Sequence, residues 1–330
     1  MLSRRSIVRT LSGLCVVTAG LSGLYVVTRR TIGASATAPM PKTPVTFKPP
    51  PGACDTHVHV IGDPKQFPMS PDRDYTPPPA TADELKEMLR FLNFDRVVII
   101  TPDIYDIDNS ATLAAIRQLG KDRARGVAWV AEGTPSKVLD SMAENGIAGI
   151  RVSLYQGRGV TAESIAKRLQ AKVDLAKKHR WHLQIATPPD VIAAVEAQLA
   201  SSPVSVVLDT FGWVEGGVAQ PGFNAVLSLV KSGKAYIKLA EPYRLSKQGP
   251  DYSDLIPVVQ ALVGANPDRV LWGSGWPHVS GSAPGRGKED VSPDLPLDSG
   301  HLLNLFAAWV PDAETRDKIL VDNPARLYGF

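Results

Sequence analysis

A (β/α)8 barrel, an α/β fold, is predicted for this chain by three features of its sequence. Eight short, β-branched apolar runs alternate with amphipathic stretches from residue 54 onward. The runs, such as Val97-Val98-Ile99-Ile100 and Val204 to Leu208, are almost continuously apolar, as expected of parallel strands covered by helices. No G-x-G-x-x-G or phosphate-binding loop follows the first run, which weighs against the doubly wound open sheet that is the alternative.

Residues 1–36 read as a twin-arginine export signal. Ser3-Arg4-Arg5-Ser6-Ile7-Val8-Arg9 opens it, and a moderately apolar stretch from Leu11 to Val27 follows, interrupted by Gly13, Gly20 and Gly23. Ala34-Ser35-Ala36 offers a small-residue cleavage site. The expected location is periplasmic or secreted, with no stable membrane insertion after cleavage. An uncleaved membrane anchor is the alternative, for which 17 residues is short. Residues 37–52 are a proline-rich linker that should be extended. The barrel occupies 53–330 as a single domain.

The formal net charge of +3 at pH 7 belongs to the whole chain. The leader holds five arginines and no acid, so the remainder carries 31 basic against 33 acidic residues. That balance gives no support for a nucleic-acid partner. Hydrophobic content of 44% with 21% charged residues excludes a disordered or collagen-like chain. Cys15 lies in the leader and Cys54 in the body, so the mature chain has no internal disulfide to form.

Strands are expected at 54–60, 96–101, 126–130, 148–153, 182–186, 204–209, 235–239 and 269–273. Helices are expected at 81–93, 110–120, 135–144, 161–179, 190–200, 221–232 and 252–264, with two or three packing helices in 301–330. Leu85, Met88, Leu89 and Leu92 recur at helical spacing, as do Leu113, Ile116 and Leu119.

In such a barrel the chemistry lies at the C-terminal ends of the strands. The first strand ends in Asp55-Thr56-His57-Val58-His59, and two histidines two apart point to one face. Imidazoles there can ligate a metal or polarise a carbonyl. Later strand ends offer Asp103, Glu132, Arg151, Ala186, Asp209-Thr210, Lys238 and Glu241. The last is Trp272-Gly273-Ser274-Gly275-Trp276-Pro277-His278, which sets His278 at the rim. Arg151, Arg158 and Arg244 follow strands four and seven, and arginine forks suit carboxylates. Segment 280–297 follows the eighth strand and lies at the mouth, as a lid or an ordinary long loop.

Together these stretches resemble the amidohydrolase superfamily, specifically the amidohydrolase-related (amidohydrolase 2) family and its lactonase branch. That branch includes 2-pyrone-4,6-dicarboxylate lactonase and D-galactarolactone isomerase. The resemblance runs from about Ala53 to Tyr328 through DTHVHVIGD, FPMSPDRDYTPP, GIRVS, EPYRLS, DRVLWGSGWPH and LVDNPARLYGF. It implies a TIM barrel that hydrolyses or isomerises a carboxylated lactone, with a metal-independent mechanism. By resemblance, His57, His59 and His278 are catalytic, and Arg151, Arg158, Arg244 and Tyr75 bind substrate. No cofactor is expected; were a metal present, His57 and His59 would hold it, completed by Asp103, Glu132 or Glu241.

Three departures qualify that expectation. Gly275 stands where the family has the aspartate that activates water, Thr210 where it has a histidine, and Ala186 where it has a tyrosine. Losing a general base costs about 10²–10⁴ in rate. Three readings follow: a hydrolase whose base has moved to Asp103 or Glu132; an isomerase in which His278 or Glu241 moves the proton; and a non-catalytic periplasmic protein binding a carboxylated small molecule.

Overall fold

The computed structural model describes residues 38–154 and 161–330. The leader, its cleavage site and Arg158 lie outside the described residues. Eight parallel strands follow one another in sequence order. They are β1 (Cys54–Val58), β2 (Arg96–Ile100), β3 (Ala124–Ala128), β4 (Ile147–Ser153), β5 (His182–Ala186), β6 (Val206–Leu208), β7 (Ala235–Ala240) and β8 (Val270–Gly273). The crossovers hold α1 (Ala82–Leu92), α2 (Ser110–Leu119), α3 (Ser136–Glu144), α4 (Ala162–His179), α5 (Pro189–Ala194), α6 (Glu196–Ala200), α7 (Phe223–Lys231) and α8 (Ile256–Ala265). The tail adds α9 (Ser299–Trp309), α10 (Ala313–Asp317) and α11 (Asn323–Tyr328).

β8 and its extension close on β1. Thr56 Oγ1 donates to the Trp272 carbonyl at 2.7 Å, Gly275 N to the His57 carbonyl at 2.8 Å, and His59 N to the Trp276 carbonyl at 2.8 Å. The backbones come so close that a Cβ on Gly273 would stand 2.5 Å from His57 Cβ, so only glycine fits there. This closure in sequence order is that of a (β/α)8 barrel and excludes the doubly wound sheet.

Local chemistry sets the element ends. Thr81 and Glu84 form a capping box at the start of α1, and Asn93 ends it in the left-handed conformation. Leu85, Met88, Leu89 and Leu92 are buried as their spacing predicts. β3 begins two residues earlier than expected and stops at Ala128. Asn109 clamps the next residue, accepting from Trp129 N at 3.0 Å and donating to its carbonyl at 2.7 Å, which takes that peptide out of the ladder. The stretch 190–200 is two helices, because Val195 at φ −119° breaks the turn between them.

The N-terminal end of the barrel is filled by the chain's own C-terminus. Cys54, Val98, Ile100, Val127, Val207, Tyr236 and Leu271 cluster with Tyr328. Arg125 donates to the Tyr328 carbonyl at 3.1 Å, and its guanidinium lies 4.7 Å from the Phe330 ring centre. At the other end, residues 38–48 are extended and tied to the barrel. Trp276 Nε1 donates to the Pro39 carbonyl at 2.7 Å, and Asp298 Oδ2 accepts from Thr43 N at 2.8 Å. Among the described residues, no helix is long and apolar enough to cross a membrane.

Candidate active site

His57 and His59 both turn into the C-terminal end of the barrel, their ring centres 5.2 Å apart and nearly perpendicular. Two residues apart at the end of β1, they share one face of the strand. Asp209, at the end of β6, holds one Oδ1 3.0 Å from His57 Nδ1, close but off the ideal hydrogen-bond line. A carboxylate there places the proton on Nδ1. His59 donates from Nδ1 to the Ile100 carbonyl at 2.9 Å. Burial, followed by the neighbouring His57 and Arg151, pushes the His59 pKa down to about 3. His59 is therefore neutral and offers its Nε2 lone pair to the cavity it lines. It cannot donate to a lactone carbonyl as the sequence reading expected of it.

Glu241 completes the centre. It follows β7 in a left-handed conformation, φ 56°. Its Oε1 accepts from Arg244 Nε at 2.7 Å and Tyr243 Oη at 3.1 Å. Its Oε2 accepts from Thr210 Oγ1 at 3.3 Å and lies 3.7 Å from His57 Nε2. Burial pushes the carboxyl up, but Arg244, His57 and His59 outweigh it and hold the pKa at about 2. Thr210, β-branched, also has a positive φ of 43°. Both strained backbones lie at the site, as is common where function dictates conformation.

The cavity above these groups measures about 340 Å³. Arg151, Arg244, Tyr75 and Asp103 line it, with Trp213 and the loop residues Ser280 and Ser282. Arg151 lies over the Trp129 ring at 5.6 Å, its Nη2 3.6 Å from Asp209 Oδ2. Tyr75 donates to Asp103 Oδ1 at 3.0 Å. Burial and then Asp103 keep that phenol protonated far above its usual range.

Other candidates stand further back. His278 is buried outside the cavity lining, receiving from Ser299 Oγ at 2.9 Å on Nε2, with Nδ1 3.4 Å from Tyr243 Oη. It supports Tyr243, which supports Glu241. Glu132 is exposed and lines a separate cavity of about 270 Å³ on the far side of Arg151, with Lys172. Asp103 is at the rim.

Gly275 explains the missing aspartate. A Cβ there would stand 2.5 Å from Glu241 Cγ and 2.6 Å from Tyr243 Oη, on a backbone with φ +77°. The Glu241 carboxylate and the Tyr243 hydroxyl fill the place a side chain at 275 would take. Sequence reasoning named Glu241 only as a secondary candidate and missed Tyr243 and Gln184. The available signal was the pairing of a vacated position at 275 with an acid at the neighbouring strand end.

One donor atom from each of His57, His59 and Glu241 lies within 4.8 Å of the others. Two imidazoles and a carboxylate form the ligand set of some catalytic zinc sites. His57 Nε2 is buried without a hydrogen-bond partner. Asp209 and the Ile100 carbonyl fix both rings from behind, the usual support for metal-binding histidines. These residues fit a divalent cation, and Glu241 is the one of the three candidate acids, Asp103, Glu132 and Glu241, that the fold brings to the two histidines.

Fold and site together define a (β/α)8 enzyme built for hydrolytic chemistry at a His-x-His centre. The chain belongs to the amidohydrolase family, whose model matches residues 54–330. It is 33% identical over 290 residues to 4-sulfomuconolactone hydrolase of Rhizobium radiobacter, covering 87% of this chain and 93% of that one. D-galactarolactone isomerase of Agrobacterium fabrum is 26% identical over 298 residues, covering 89% and 94%. A solved structure described as a probable 2-pyrone-4,6-dicarboxylic acid hydrolase from Acinetobacter baumannii, with citric acid bound, aligns with a TM-score of 0.69. That alignment is 26% identical and covers 84% of this chain and all of the other. The chain is an enzyme, a lactonase-like hydrolase.

Proposed function

We propose that this enzyme hydrolyses a lactone bearing at least one carboxylate or comparable acid group. The observation that carries the reading is Glu241, a buried carboxylate beside His57 that occupies the space left by Gly275. The base missing from the eighth strand is supplied by the seventh. A carboxylate in that place weighs against a catalytically silent binding protein.

The residues divide the work by geometry. Arg151 and Arg244 line the cavity and hold the substrate's acid groups. A substrate carboxylate that draws on Arg244 weakens the field holding Glu241 acidic, and exclusion of water acts in the same direction. Glu241 then takes a proton from the attacking water as its oxygen bonds to the lactone carbonyl carbon. The ring C–O bond breaks, and the ring oxygen takes that proton. Asp209 places the His57 proton on Nδ1, which leaves the Nε2 lone pair facing the Glu241 side of the site, as a cation ligand would require. A divalent cation bound by His57, His59 and Glu241 would supply carbonyl polarisation and a more acidic water.

The test is proton NMR of carboxylated lactones, including pyrone dicarboxylate and sugar-acid lactones, with chelator-treated and zinc-supplemented enzyme. Ring opening is expected. Ring migration would make the enzyme an isomerase, and line broadening without turnover would restore the binding-protein reading. Activity restored only by zinc would establish the metal, whereas equal activity in both samples would support the metal-independent route. We also propose periplasmic export through residues 1–36. A mature mass beginning at Thr37, lost on Arg4→Lys/Arg5→Lys substitution, tests it.

A further inference from the structure

Lys238, on β7, is a fully buried ammonium that lines no part of the substrate cavity. Its Nζ donates to Gln184 Oε1 at 2.7 Å and to the Thr56 carbonyl at 2.7 Å. Gln184 Nε2 in turn donates to Asp209 Oδ2 at 2.9 Å, and Asp209 Oδ1 stands 3.0 Å from His57 Nδ1. Lys238 and Gln184 are both wholly buried, and Asp209 nearly so.

We propose that Lys238 is a positioning residue for His57, acting through Gln184 and Asp209 on one side and through the Thr56 carbonyl on the other. An amide can be placed either way round. Beside an ammonium and a carboxylate only one orientation works, with oxygen toward Lys238 and nitrogen toward Asp209. The reverse would set amide protons against ammonium protons and oxygen against carboxylate. Lys238 therefore decides which way Gln184 points, and Gln184 occupies Oδ2 so that Oδ1 faces the imidazole. The second contact pins the backbone one residue before His57. A buried ammonium needs acceptors, and both acceptors that Lys238 uses belong to the groups that hold His57 in place. This one holds both the ring's partner and the ring's own strand.

The role rests on the hydrolytic reading above for its kinetic consequence, but not for its structural one. The variants are Lys238→Met and, should that chain fail to fold, Gln184→Met. Each is expected to lower kcat by about 10–100-fold with KM little changed, the range for partners that orient a catalytic or metal-binding histidine. Histidine side-chain ¹⁵N NMR is the second readout. The wild type should show His57 protonated on Nδ1, assigned by loss of the signal in His57→Asn, and the variants should show a tautomer mixture. Unchanged kcat together with an unchanged His57 spectrum would overturn the proposal. Should the wild type open no lactone, the reaction is wrong, and the nitrogen spectrum alone decides Lys238.

Discussion

The two ends of this barrel treat the same side chain in opposite ways. At the N-terminal end His182 is buried with no carboxylate beside it, its ring meeting Tyr328 at 5.1 Å. It fills the space above Gly149, where a Cβ would stand 2.2 Å from its Cε1. Burial, then Lys238, pushes its pKa down to about 3. At the C-terminal end His57 sits between Asp209 and Glu241. An imidazole is packing material where its neighbours are rings and glycine, and chemistry where they are carboxylates. Lys238 lies between the two layers and touches the electrostatics of both.

The sharpest way to break this contrast is Glu241→Gln. It keeps the shape and removes the proposed base, so kcat/KM should fall by about 10²–10⁴-fold, and the melting temperature should fall as well because Arg244 loses its carboxylate partner. A loss below tenfold would return the base to another residue. His182→Ala should do the reverse. Removing a buried ring costs about 2–4 kcal/mol of stability by denaturant titration and leaves kcat within a few-fold.

Gly275→Asp separates an inherited pocket from a rebuilt one. The new side chain would collide with Glu241 and Tyr243 on a left-handed backbone. Activity should drop at least tenfold, with about 1–3 kcal/mol of lost stability; a gain in lactonase activity would contradict the account of Glu241. Arg244→Met should raise KM by about tenfold, as one charge-assisted hydrogen bond to substrate is lost.

Acid stability completes the series. His182 and His59 are depressed from the usual 6.5 to about 3 in the folded state. The unfolded chain then binds more protons than the folded one below pH 6.5. Their contribution is complete above that pH and is lost progressively as pH falls toward 3. The melting temperature should decline over that window, and less steeply in His182→Ala. A flat profile would show that His182 is not buried neutral.

Much of the fold was legible because helix and strand periods are local. The α1 pattern from Leu85 to Leu92 and its Thr81–Glu84 cap needed only a dozen residues. Where contacts came from afar, expectation slipped. β3 stops because Asn109, on another crossover, clamps Trp129. Residues 37–52 read from composition as an extended proline-rich linker, which says nothing of the contacts by which Asp298 and Trp276 hold Thr43 and Pro39.

The site divides along the same line. His57, His59, Arg151 and Arg244 could be found from strand ends, since a barrel exposes those ends at one mouth. The sequence by itself determined the barrel, the His-x-His pair and the two arginines that follow strands four and seven. Only the tertiary structure decided that Glu241 replaces the side chain absent at 275, that His59 offers a lone pair, and that Lys238 reaches His57 through Gln184 and Asp209. Those decisions rest on distances between residues dozens to hundreds of positions apart, and hydrogen bonds act over about 3 Å in space whatever the separation along the chain.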